Sequence, residues 1–176
     1  MARPLLILIT GLPCTGKTTL GKRLATEFSL PFISKDDIKE SLFNSLGWEN
    51  RERSKKIGAA SYDILYYLAE SLLESQSSFI IESNFKPEID TVRFRDYLET
   101  YNFQLIQIEC KTEGNTLFER FKTRSESGTR HPGHVDHLNY AEFEEVLLHG
   151  QPTQLDVEGI FFQIDTTDFS SIDYDK

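Results

Sequence analysis

Apolar residues gather in five short runs, at residues 5–10, 31–34, 79–82, 103–110 and 160–164, and longer segments with apolar positions at helical intervals lie between them. Near-continuous Leu, Ile and Phe over four to eight residues suits a strand buried on both faces, while spacing by three and four suits a helix with one buried side. The pattern predicts helices over 17–28, 37–46, about 53–74, 91–101, 116–125 and 140–149. Strands alternating with helices in this way predict an α/β fold, a parallel sheet with helices on both faces. One segment breaks the alternation: SESGTRHPGHVDH, residues 125–137, brings Gly, Pro and polar residues where a compact fold uses a short link. Loops of that length are commonly functional. The tail TTDFSSIDYDK is acidic and polar and is expected to fray, with its start available to border a nucleotide base.

At 176 residues the chain is expected to form one domain, 1–176, long enough to bury a real core. Its net charge of −9, from 28 acidic and 19 basic residues, argues against a general binder of nucleic acid or anionic membrane and favours a small ligand. Cys14 and Cys110 have no metal or disulfide spacing and read as free thiols. The first apolar run is too short to span a bilayer and leads into a glycine-containing loop rather than a cleavage site, so a cytoplasmic location is expected.

That loop is the most specific feature of the sequence. Gly11, four residues, then Gly16-Lys17-Thr18 matches the phosphate-binding pattern between a strand and a helix, the context it requires. A phosphate chain must be wrapped at close range by backbone N–H groups, and glycine removes the side chains that would obstruct them. The following helix supplies oriented donors at its N-terminus, Lys17 brings a charge to the terminal phosphates, and Thr18 is placed to ligate Mg²⁺. The nucleotide-binding set is therefore Gly11, Pro13, Cys14, Thr15, Gly16, Lys17, Thr18 and Thr19.

Other candidates fall at the carboxyl ends of predicted strands, where open α/β sheets bind ligands. Asp36 and Asp37 follow the second strand; either serves a reaction that must deprotonate an acceptor hydroxyl, and with Ser34 they also suit a helix N-terminus. Glu82 and Asn84 end the third strand, where an acid holds Mg²⁺ through water. Arg120 and Arg124, four apart, share a helix face before the Gly/Pro segment, with Arg130 beyond it; together they suggest a lid, about residues 120–138, whose guanidinium groups meet phosphate oxygens. His131, His134 and His137 are spaced by three but lack a cysteine or His-Glu-x-x-His context, so they read as a substrate-contacting or lid-ordering loop rather than a zinc site. Phe43, Trp48, Tyr62 and Tyr66 are available to line an acceptor pocket.

Read in order, the phosphate loop, Lys35-Asp36-Asp37, the Ile80–Asn84 stretch IIESN and the arginine pair resemble the small P-loop kinases of the phage polynucleotide kinase, zeta toxin and chloramphenicol phosphotransferase type, over most of residues 5–130. The resemblance implies a P-loop nucleoside triphosphate hydrolase fold with five parallel strands in the order 2-3-1-4-5. It also implies ATP and Mg²⁺, with Lys17, Asp36, Arg120 and Arg124 as the catalytic set, Asp36 being the acceptor-activating base. Thr18, Asp36 and Glu82 are implied around the metal, and Arg120 and Arg124 as lid arginines on ATP. Lys39 falls where the polynucleotide kinase has an arginine that helps to hold a nucleic-acid phosphate, whereas the His131–His134 turn has no counterpart there. No Asn-Lys-x-Asp base-reading motif occurs, which favours ATP over GTP. The expected function is phosphoryl transfer from ATP to a hydroxyl of a small molecule. The rivals are a polynucleotide 5′-hydroxyl kinase and an ATP-binding or ATP-hydrolysing regulatory module.

Overall fold

The computed structural model describes residues 3–135, 140–151 and 153–172. Five strands form one parallel sheet: β1 (Leu5–Thr10), β2 (Phe32–Ser34), β3 (Phe79–Glu82), β4 (Gln104–Lys111) and β5 (Ile160–Asp165). Their order is β2-β3-β1-β4-β5, with Leu8 opposite Ile81 on one side and Gln107 on the other. The helices are α1 (Lys17–Phe28), α2 (Lys35–Leu46), α3 (Arg51–Glu74), α4 (Pro87–Thr100), α5 (Gly114–Glu126) and α6 (Tyr140–His149). No helix among the described residues is long and apolar enough to cross a membrane.

Alternation along the central strands divides the core. Leu6, Leu8, Phe79, Ile81 and Leu105 meet Leu65, Ala69 and Leu73 of α3 and Phe94 and Tyr97 of α4, whereas Ile7, Ile9, Ile80 and Ile108 meet Leu20 and Leu24 of α1. Each fully buried Leu, Ile or Phe side chain contributes about 1.5–3 kcal/mol over its exposed state. A third cluster lies beyond the sheet, where Leu12 of the phosphate loop packs with Leu117, Phe118 and Phe121 of α5 and Leu147 of α6. Side chains of the loop and of the arginine-bearing helix thus share one small core.

Four helix starts fall earlier than the sequence expectation, those of α3 and α5 by two residues each, at Arg51 and Gly114. Helix α4 begins at Pro87, not at residue 91: proline fills the first turn, where a missing N–H costs nothing, and the Asp90 carboxylate accepts from the Lys86 N–H at 2.5 Å. Helix α2 begins at Lys35 rather than at residue 37, so Asp36 as well as Asp37 lies inside its first turn. There the carboxylates favour the helix dipole, but Ser34, at the N-cap, makes no side-chain cap bond.

The junction of β1 with the loop has little steric freedom. Gly11 sits at φ +141°, and a Cβ there would lie 2.4 Å from the Cys110 carbonyl oxygen. Gly11→Ala is expected to destabilise the fold by about 2–4 kcal/mol. Gly47→Ala, at φ +73° with no heavy atom within 4 Å of the new methyl, should cost about 1 kcal/mol. Urea denaturation of the two variants checks the difference, and equal losses would contradict it.

Candidate active site

At the carboxyl edge of the sheet lies a cleft of about 540 Å³. The phosphate loop and the start of α1 form one end, α2 and Arg51 of α3 the other, and Arg120, Arg124 and Arg130 border it from the α5 side. Pro13, Cys14, Gly16, Lys17, Thr18, Thr19, Asp36, Glu82, Arg120 and Arg124 all line this one cleft. Gly11 and Thr15 instead border a second depression behind the loop, near the end of β4. Cys14 holds φ +69°, and neither Cys14 nor Cys110 is in a disulfide.

Glu82 organises the phosphate end. Its Oε2 accepts from the Ser34 hydroxyl at 2.8 Å and the Thr18 hydroxyl at 3.1 Å, and its Oε1 stands 3.7 Å from Lys17 Nζ. The Lys17 ammonium donates to the Leu12 carbonyl at 3.1 Å and is almost fully buried. Ser34 therefore spends its hydroxyl on Glu82 rather than on its own helix. Two hydroxyls beside a buried carboxylate make an all-oxygen donor set, the chemistry that suits Mg²⁺. Among the described residues no group of three or more His, Cys, Asp and Glu is placed to hold a metal ion by itself.

At the other end, Asp36 lies between two cations: Lys35 Nζ is 3.3 Å from Oδ1 and Arg130 Nη2 is 3.2 Å from Oδ2. Burial works against the carboxylate, but Lys35 and then Arg130 hold its pKa well below the usual range, so it is ionised at neutral pH. One turn further along α2, the Lys39 ammonium is buried over the Phe43 ring, 5.2 Å from its centroid. Its pKa falls to about 8 through burial and the neighbouring Lys35. Gly58 of α3 leaves room for both lysines, whose Nζ atoms come within 3.6 Å (Lys39) and 3.9 Å (Lys35) of the place a Cβ would take. Arg51 is engaged by Glu142, and Glu40 by His134, while Lys39 has no hydrogen bond or ion pair to any described residue.

Arg120 and Arg124 stand on α5. Arg120 donates to the Thr166 and Thr167 carbonyls at 2.8 Å each and lies 3.9 Å over the Phe169 ring, in place of pairing with a glutamate of its own helix. Phe169 in turn presses on the loop, for a Cβ on Gly16 would meet its ring at 2.6 Å.

The aromatic lining differs from the sequence expectation. Phe43 and Tyr66 are core residues, Tyr62 reaches only a small crevice beside Asp36, and Trp48 lies outside the cleft; Phe121, Phe143 and Phe169 line it instead. Phe43 shares the face of α2 that carries Asp36, Lys39 and Glu40 but lies beyond the cleft, covered by the His131–His134 turn, and Tyr66 is turned into the core, where its hydroxyl bonds to Asp90. The engagement of Ser34, Arg51 and Glu40 was also missed, because each depends on a partner 48 to 94 residues away. His137 falls outside the described residues, as does the end of the expected lid.

A family model described as an AAA domain matches residues 6–147. Among solved structures, a candidate kinase from Chloroflexus aurantiacus J-10-fl is 42% identical, covering 98% of this chain and 93% of its own, with a TM-score of 0.91. A gluconokinase from Sinorhizobium meliloti 1021 is 15% identical over 93% of this chain and 84% of its own, with a TM-score of 0.52. The PezAT toxin–antitoxin structure from Streptococcus pneumoniae is 16% identical over 84% of this chain and 66% of its own, with a TM-score of 0.56; at these identities the last two show a shared fold. No curated protein matches the chain.

His134 gives the site a measurable pH dependence. Burial, then the Arg130 charge, lowers its pKa from 6.5 to about 2. Below pH 6.5 the unfolded chain binds a proton that the folded chain refuses, so this group's contribution to stability falls with pH, by about 1.4 kcal/mol per unit down toward pH 2. Denaturation midpoints at pH 6.5 and 5 should show that slope in the wild type and a correspondingly shallower one in His134→Asn. Equal slopes would contradict it.

Proposed function

Because the chain belongs to the AAA-domain family of P-loop kinases that residues 6–147 match, we propose that it transfers the γ-phosphoryl group of ATP to a hydroxyl of a small-molecule acceptor. The observation that carries this reading is that the phosphate loop and an ionised Asp36 line one cleft, the loop at the nucleotide end and Asp36 toward the other. Such transfer needs positioning and charge stabilisation more than covalent chemistry.

Each residue then has a task. Loop N–H groups and Lys17 hold the β- and γ-phosphates, with Arg120 and Arg124 on the same nucleotide. Thr18, with Glu82 or Asp36 in the outer shell, would hold Mg²⁺, which when bound neutralises charge on phosphate oxygens. Asp36 orients the acceptor hydroxyl and takes its proton as the new P–O bond forms. Lys39 supports an acceptor that carries an acidic group: a buried ammonium with no ion pair to any described residue favours an anion, and residues 36 and 39 are neighbours on one helix face. The overall negative charge and the cleft's modest volume favour a small acceptor over a polynucleotide.

The test is label transfer from γ-labelled Mg·ATP to a panel of small hydroxyl compounds with and without acidic groups, to a 5′-hydroxyl oligonucleotide, and with no acceptor. Label is expected in a small acid-bearing compound. Asp36→Asn should cut transfer by about 10²–10⁴-fold while leaving ATP affinity nearly intact, and Lys17→Ala should abolish productive nucleotide binding. Label on the oligonucleotide, or phosphate released at one rate whatever is added, would overturn the reading.

A further inference from the structure

The His-Pro-Gly-His turn is built onto α2 as a fitted part. Gly133 lies against the Phe43 ring so closely that a Cβ would meet three ring carbons at 2.7–2.9 Å. His131 stacks on the same ring, with centroids 5.1 Å apart, accepts the Gly133 N–H at Nδ1, and places Nε2 3.2 Å from Asn44 Oδ1. His134 meets Phe43 edge-on at 5.4 Å, and Arg51 of α3 reaches the His134 carbonyl at 3.4 Å. The turn is thereby held to two helices, and the His134 imidazole, 3% exposed, lies between Arg130 and Glu40.

The hydrogen bonds fix which ring nitrogen carries the proton. A guanidinium has only donors, so His134 Nδ1, 3.0 Å from Arg130 Nη2, must accept. Nε2 then bears the proton and donates to Glu40 Oε1 at 2.9 Å. The same Arg130 Nη2 reaches Asp36 Oδ2 at 3.2 Å. An unbroken chain runs from Glu40 through His134 and Arg130 to the carboxylate at the reacting end of the cleft. A ring with both nitrogens engaged and almost no exposure is unsuited to bind metal or to exchange protons with an acceptor; what it can do is orient its neighbour.

We propose that His134 is a positioning residue: Glu40 holds its imidazole in the Nε2–H form, and Nδ1 fixes the Arg130 guanidinium beside Asp36, on the acceptor side of the transferred phosphoryl group. Arg130 is thereby separated in task from Arg120 and Arg124, which border the nucleotide side, and the turn that the sequence marks with two histidines is explained by the arginine it aims. Burial and the adjacent guanidinium both favour the neutral ring this requires. The inference rests on the phosphoryl-transfer reading for its consequence in turnover, but not for its geometry.

Two measurements test it on the full chain. In a two-bond ¹H–¹⁵N NMR spectrum of histidine-labelled protein at neutral pH, His134 should appear as one neutral Nε2–H tautomer, and Glu40→Ala should mix the tautomers. The second probe is γ-labelled Mg·ATP, followed by the rate at which label leaves ATP, whichever hydroxyl, water included, receives it. Arg130→Ala and His134→Gln should each slow that step by about 10–100-fold with KM for ATP unchanged, and the double variant should be no slower than the worse single one. His134→Asn, whose Oδ1 takes the place of Nδ1, should stay within about threefold of wild type. An Nδ1–H or charged His134, or His134→Gln turning over normally while Arg130→Ala is slow, would overturn the proposal. If label reached water but no small hydroxyl compound, the function reading would fail while the variant rates still judged His134; the tautomer is read without any turnover.

Discussion

A buried carboxylate fixes the working edge of this molecule. Glu82, 4% exposed at the end of β3, would be costly to bury without partners. Its partners come from two separate segments: Ser34 at the end of β2, and Lys17 and Thr18 in the first turn of α1. Satisfying one charge therefore draws the phosphate loop and the β2–α2 junction to the same point. Asp36 lies two residues beyond Ser34, so the hydrogen bond from Ser34 to Glu82 also places Asp36 across from the loop.

The rest of the cleft is held from two sides. Behind the phosphate loop, Leu12 shares a small core with α5 and α6, so the helix bearing Arg120 and Arg124 is packed against the loop. At the other end, successive turns of one face of α2 do two things. Asp36, Lys39 and Glu40 border the cleft, while Phe43 seats the His131–His134 turn from which Arg130 reaches Asp36. Charge is matched nearly pair by pair at that end, with Lys39 left for an anion to meet.

Much of the fold was legible in the sequence because its strands are short apolar runs bounded by turns, and β1, β3, α1 and α6 begin and end where the pattern places them. Strand order was not: spacing alone is silent on which strand lies beside which, and the order came from the family resemblance. The phosphate loop was readable because its chemistry is local, with glycine, lysine and threonine fixed by the geometry of one turn. The Asp36 end of the cleft was not, because its defining contacts join distant segments: Arg130 with Asp36, Arg51 with Glu142, His134 with Glu40. Composition pointed to aromatic residues but not to how far along α2 the cleft reaches, and Phe43, open to pocket or core on sequence alone, belongs to the support beyond it.

The central claim is that Glu82 makes the phosphate end a site for nucleotide together with a hard cation, through Thr18. Calorimetric titration of ATP, with Mg²⁺ and with the metal chelated, on the wild type and on the near-isosteric Glu82→Gln tests it most directly. The wild type should bind ATP more tightly when Mg²⁺ is present, and the variant, still folded, should lose that advantage while keeping its metal-free affinity. An undiminished Mg²⁺ advantage in Glu82→Gln, or a wild type that does not bind ATP, would contradict the account.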